Sequence, residues 1–64
     1  VLKEREIESI KLACTELTYK EIANEMCLSP KTIDGYREHL FVKLEVKTRI
    51  GLVLFAIKNR IIML

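Results

Sequence analysis

TYKEIANEMCLSPKTIDGYREHLFVKL, residues 18–44, holds two helix starts separated by a gap too short for anything but a tight turn. Thr18 is a good N-cap: its hydroxyl can accept from the Glu21 amide while the Glu21 carboxylate reaches back to the Thr18 amide, a capping box. Leu17 and Ile22 form the matching hydrophobic staple. Eleven residues later the device recurs, with Ser29 as N-cap and Pro30 at the first helical position, where its missing amide hydrogen costs nothing. Leu28 and Ile33 supply the second staple. Only Cys27 and Leu28 lie between the two helices, so the chain must turn sharply and cross the second helix over the first, the geometry of a helix-turn-helix.

Working outward, Leu2 through Cys14 reads as a preceding brace helix, with Ile7, Ile10 and Cys14 on one apolar stripe and Ala13 and Leu17 adjoining it. Glu4, Glu6 and Glu8 suit the positive end of its dipole. Its stop is poorly written, because Thr15 and Glu16 precede Leu17 with no Gly or Asn for a left-handed cap. The helix from about Tyr19 to Met26 carries a short stripe of Ile22, Ala23 and Met26. Turning ~100° per residue along Pro30 to Leu44 puts Ile33, Leu40 and Leu44 on one side, flanked by Tyr36 and Phe41. Lys31, Asp34, Gly35, Glu38 and Val42 fall opposite. Solvation alone would account for polar residues there, but not for Gly35, which costs about 1 kcal/mol against Ala in a helix interior. A residue with no side chain lets the backbone approach a major groove closely.

After Leu44, Glu45, Val46 and Lys47 make a short connection, and Thr48 caps a fourth helix from Arg49 to about Asn59. Leu52, Val53 and Ala56 give it a core face, while Ile50, Leu54 and Ile57 make a second stripe, read first as a homodimer contact and second as extra core for a very small domain. Ile61, Ile62, Met63 and Leu64 either pack on the first helix or belong to a continuation of the chain.

At 64 residues the chain is one domain at most, and the start at Val is expected for a piece excised from a longer protein. Half of it is hydrophobic with only two Gly, one Pro and four aromatics, which favours a packed helical domain over disorder or a β-sandwich; with the four helices read above, the fold expected is all-α. No apolar run is long enough to span a bilayer and no secretory leader is visible, so a soluble, cytoplasmic protein is expected, without membrane contact. Cys14 and Cys27 are thirteen apart with His39 twelve beyond, too sparse for a zinc set; they read as small buried hydrophobes, and His39 as a packing or surface residue. No nucleophile with a base, Gly-rich phosphate loop or paired carboxylates argue for an enzyme, a cofactor or a small-molecule ligand. The net charge of +2 is uninformative, but residues 1–26 hold four Lys/Arg against six Glu, and residues 27–64 hold seven against three acids. The basic half begins at the turn, as a surface facing phosphates would.

Over nearly its whole length the chain resembles the LuxR-type DNA-binding domain, the output domain of NarL/FixJ-like bacterial response regulators. Leu2 with EREIE at residues 4–8 is similar to that family's opening helix, KEIA at 20–23 to its second, LSPKTI at 28–33 to its turn and recognition start, and KLEVKTR at 43–49 to its closing motif. The resemblance implies a four-helix domain over residues 1–64 that binds double-stranded DNA as a dimer, third helix in the major groove and fourth at the dimer contact. It also suggests a receiver domain phosphorylated on Asp elsewhere in the protein, with RNA polymerase as a further partner. The family usually has Gly where Glu16 and Glu45 stand, so both exits here need a non-Gly residue or a different cap. It commonly has His at Tyr36.

Lys31, Asp34, Gly35 and Glu38 are then the base-reading set, and Lys20, Thr32, Arg37, Lys47 and Arg49 the phosphate-positioning set. Family members often carry basic or amide side chains where this chain has Asp34, Gly35 and Glu38. Carboxylates accept from cytosine N4 but repel phosphates, so the operator should differ from that of a Lys-rich relative. Two rivals stand beside this reading: region four of a sigma factor, against which the fourth helix argues, and a helical protein-interaction module that never touches DNA.

Overall fold

The computed structural model describes residues 2–63; the Leu64 end of the apolar tail lies outside them. Four helices follow in order, α1 (Glu4–Ala13), α2 (Tyr19–Glu25), α3 (Pro30–Lys43) and α4 (Arg49–Lys58), and no strand occurs among the described residues. Three starts are capped by hydroxyls as their sequences predict: Thr18 accepts from the Glu21 amide at 3.2 Å, Ser29 from the Thr32 amide at 3.2 Å and Thr48 from the Gly51 amide at 3.1 Å. Glu21 returns the bond, accepting from the Thr18 amide at 2.8 Å. The α1 start is half such a box. Its N-cap is Lys3, whose amide donates to Glu6 at 2.8 Å, but a lysine side chain has no acceptor to offer in exchange.

The exits resolve the question raised by the missing glycines. After α3, Glu45 takes φ 57°, and the amide of Val46 reaches back to the Phe41 carbonyl at 3.0 Å while that of Glu45 reaches Val42 at 3.2 Å. This is a Schellman closure with a non-Gly residue in the left-handed position. Cys27 at φ 58° closes α2 likewise, with Leu28 bonded to Ala23, and Arg60 at φ 58° closes α4, with Ile61 bonded to Ala56. The α1 exit is different. Glu16 has no positive φ; Thr15 stops the helix instead, its hydroxyl donating to the Leu12 carbonyl and accepting from the Leu17 amide at 3.2 Å.

Packing falls into two linked clusters. Ile22, Ala23, Met26 and Ile33 join α2 to α3, with Leu12, Leu17, Tyr19, Leu28 and Tyr36 half-buried around them. Ile10, Ala13, Leu40, Leu52 and Ala56 join α1, α3 and α4, and half-buried Ile61 and Ile62 pack against this cluster, so the start of the tail covers the core. Met63 is exposed. Buried Ser9 donates to the Arg5 carbonyl at 2.9 Å and approaches the Met26 sulfur at 3.5 Å. The expectation that both cysteines are buried needs correction: Cys14 is half-buried, but Cys27, the left-handed turn residue between α2 and α3, is exposed. On α4, Ile50 is 71 % exposed and Leu54 62 %, whereas Ile57 is half-buried. No helix among the described residues is long and apolar enough to cross a membrane.

Candidate nucleic-acid interface

The outward side of α3 is fixed by what lies inward. Ile33 and Leu40 are each 2 % exposed, and Tyr36 and Phe41 are half-buried beside them. The helix therefore cannot rotate without exposing its core, and Lys31, Asp34, Gly35 and Glu38 are held together on the open side, all exposed. From Lys31 to Glu38 the helix rises about 10 Å at ~1.5 Å per residue, a length comparable with three base-pair steps of ~3.4 Å. A Cβ built on Gly35 would meet nothing within 4 Å, so no packing within the protein calls for glycine there. Val42, one turn beyond Glu38, extends the same face and is 80 % exposed. The sequence places it on that side without assigning it a role.

Around this face the other predicted residues take different places. Lys20 in the first turn of α2 and Lys47 in the α3–α4 connection are exposed, and no ion pair engages either among the described residues. Thr32 is exposed and its hydroxyl shares a 2.9 Å hydrogen bond with that of Ser29. Arg37 lies over the Tyr19 ring at 4.9 Å, with Nη2 3.8 Å from Asp34. Arg49 stands apart from the set. Its Nε donates to the Ala13 carbonyl at 2.9 Å, and its Nη2 to the carbonyls of Thr15, at 2.8 Å, and Leu17. The same guanidinium also lies over the Tyr19 ring, at 5.0 Å. It satisfies carbonyls that the α1 exit leaves without helical partners, so its Nε and Nη2 donors face inward.

A second group went unread in the sequence. Glu6 on α1 accepts from Lys43 of α3 at 2.9 and 3.1 Å and lies 3.2 Å from His39 Nε2, in addition to its bond from the Lys3 amide. The Lys3 amide and Lys43 hold its carboxyl well below the usual range, at about 2. These bonds tie the middle and end of α3 to the start of α1. The incomplete box Lys3-x-x-Glu6 was the one local signal; Lys43 is thirty-seven residues away, and nothing local announces it. Burial raises the Cys14 thiol above its ordinary value, with Arg49 opposing. Among the described residues no three His, Cys, Asp or Glu converge as metal ligands.

A family model described as "Bacterial regulatory proteins, luxR family" matches residues 1–56. Oxygen regulatory protein NreC of Staphylococcus haemolyticus is 31 % identical over 62 residues, covering 97 % of this chain and 29 % of that protein. Response regulator GacA of Pseudomonas aeruginosa is 34 % identical over 58 residues, 91 % of this chain and 27 % of GacA. NreC of Staphylococcus aureus strain JH9 is 32 % identical over 62 residues, again 97 % and 29 %. The chain thus spans less than a third of the length of the curated relatives it matches.

Proposed function

Because the chain belongs to the luxR family of bacterial regulatory proteins, we propose that it is the DNA-binding effector domain of a transcriptional regulator, reading double-stranded DNA sequence-specifically as a homodimer. The observation that carries this reading is the outward face of α3. It is an exposed helix surface with a glycine that no internal contact requires, at the position where a helix-turn-helix meets base edges.

In this reading Lys31, Asp34, Gly35 and Glu38 enter the major groove. Lys20, Thr32, Arg37 and Lys47 position the helix on phosphates. Arg49 is assigned instead to the scaffold, since its Nε and Nη2 are bonded to three carbonyls around the α1 exit. Ile50 and Leu54, with Ile57 at the edge, form the contact between two copies. The likeness to a protein named response regulator GacA extends the proposal to the effector part of a two-component response regulator, acting in the cytoplasm with RNA polymerase as a further partner.

Titration with mixed-sequence duplex DNA at several salt concentrations tests the binding. Affinity is expected to fall steeply as salt rises, and Lys20→Ala to weaken binding on all sequences alike while reducing the logarithmic salt slope by about 1. Binding that ignores salt, or none even at low salt, would sink the proposal in favour of a protein-interaction module.

A further inference from the structure

The reading face presents two carboxylates, and the structure gives them different surroundings. Asp34 lies 3.8 Å from the Arg37 guanidinium, which is itself seated over Tyr19, so part of the Asp34 charge is balanced within the protein. Glu38 is exposed, and no ion pair balances it among the described residues. A carboxylate carried between two phosphate backbones is repelled unless it accepts a hydrogen bond from a base edge. In the major groove the donors are the exocyclic amines of cytosine and adenine; guanine and thymine offer acceptors, and the adenine amine sits beside the N7 acceptor. Cytosine N4 is therefore the partner that suits a bare carboxylate best.

The geometry of α3 supplies the room. Helical side chains lean toward the N-terminus, over the preceding turn. For Glu38 that turn contains Gly35, where even a Cβ would meet nothing within 4 Å. The space above Gly35 is thus open both to the Glu38 carboxylate and to a base edge drawn up close to the backbone. On these grounds, and resting on the DNA-binding reading above, we propose that Glu38, rather than Asp34, is the cytosine reader of this domain. It accepts from the N4 amine of one cytosine in each half-site, in the space that Gly35 leaves open.

The test is selection of bound duplexes from a random pool by the wild-type chain and by Glu38→Gln, Glu38→Ala and Asp34→Asn, each checked for unchanged helicity. The wild type and Asp34→Asn should fix a cytosine at one position of each half-site. Glu38→Gln should move that position toward adenine, whose N6 and N7 match an amide, and Glu38→Ala should lose the preference. Replacing that cytosine by the pyrimidin-2-one analogue, which lacks the 4-amino group, should weaken the wild type roughly tenfold and leave Glu38→Ala unaffected. Identical selected sequences for wild type and Glu38→Ala, or equal sensitivity of both to the analogue, would overturn the assignment while leaving DNA binding intact. Failure of every variant and the wild type to bind at low salt would instead overturn the DNA-binding reading, and this inference with it.

Discussion

At the scale of single residues, the two glycines separate a cost borne for a partner from one borne for packing. Gly35 and Gly51 both lie inside helices, where Ala is favoured by about 1 kcal/mol. At Gly35 an added methyl meets nothing, so Gly35→Ala should stabilise the isolated domain by about 0.5–1 kcal/mol in urea unfolding, while weakening specific DNA binding. At Gly51 the same atom would stand 3.1 Å from Val46 Cβ, so Gly51→Ala should gain less than Gly35→Ala or lose outright. A stabilised Gly35→Ala variant with unaltered DNA affinity would show that the open face is merely solvated. Arg49 gives the converse case, a cation whose donors serve the fold. Arg49→Ala should cost about 2 kcal/mol, the scale of charge-assisted bonds to carbonyls lost at a helix end, and should leave the salt slope of DNA binding unchanged. A slope lowered by about 1 would return Arg49 to the phosphate set.

Between elements, stability turns on exits and braces. Glu45 holds φ 57° at the α3 exit, a conformation that costs an L-residue about 1–2 kcal/mol. Glu45→Gly should therefore stabilise the domain by about 0.5–1 kcal/mol after the greater chain entropy of glycine is allowed for, measured as a rise in the urea midpoint. The Glu6 brace from α1 to α3 makes stability depend on pH. Its carboxyl is lowered from 4.5 to about 2, so its contribution is fully present above pH 4.5 and is lost as pH falls from there through about 2. Glu21, lowered by its bonds with Thr18, acts in the same direction. Unfolding midpoints followed between those limits should drop less steeply for Glu6→Gln than for the wild type; parallel curves would remove Glu6 from the account. These elements also mark what a sequence can disclose. The caps at Thr18, Ser29 and Thr48 were legible because donor and acceptor lie three residues apart, and the faces of α3 because period alone separates Ile33 and Leu40 from Asp34 and Glu38. Arg49 on the α1 exit and Lys43 on Glu6 were not, since each pair forms only once helices more than thirty residues apart have packed. The exposure of Cys27 was hidden for a related reason: its backbone angle follows from how α2 closes, and a cysteine carries no propensity that announces it.

For the molecule as a whole, size and shape bear on the proposed sharing of one operator by two copies. The Cα extents are 29 × 23 × 20 Å, smaller than the ~34 Å that separates half-sites one helical turn apart. Two domains can thus lie side by side on one face of the duplex without overlap, and the surface that faces the neighbour must supply whatever contact they make. Ile50 and Leu54 are exposed on α4, a helix whose opposite side, Leu52 and Ala56, is sealed in the core. A partner helix laid along that stripe would cover apolar area worth roughly 25 cal/mol per Å², while the carboxylates on α3 weaken the pull of a single domain toward phosphates. Under the proposed pairing, two modest half-site interactions become one, with the second intramolecular. Leu54→Glu should accordingly leave helicity and unfolding midpoint near wild type, because the side chain is already in water. It should leave affinity for an isolated half-site unchanged, and should lower affinity for a two-half-site operator by tenfold or more through loss of the shared contact. Gel-shift titrations on the two duplexes decide the matter. Equal affinities of wild type and Leu54→Glu for the paired operator would mean that the α4 stripe is not the contact between copies.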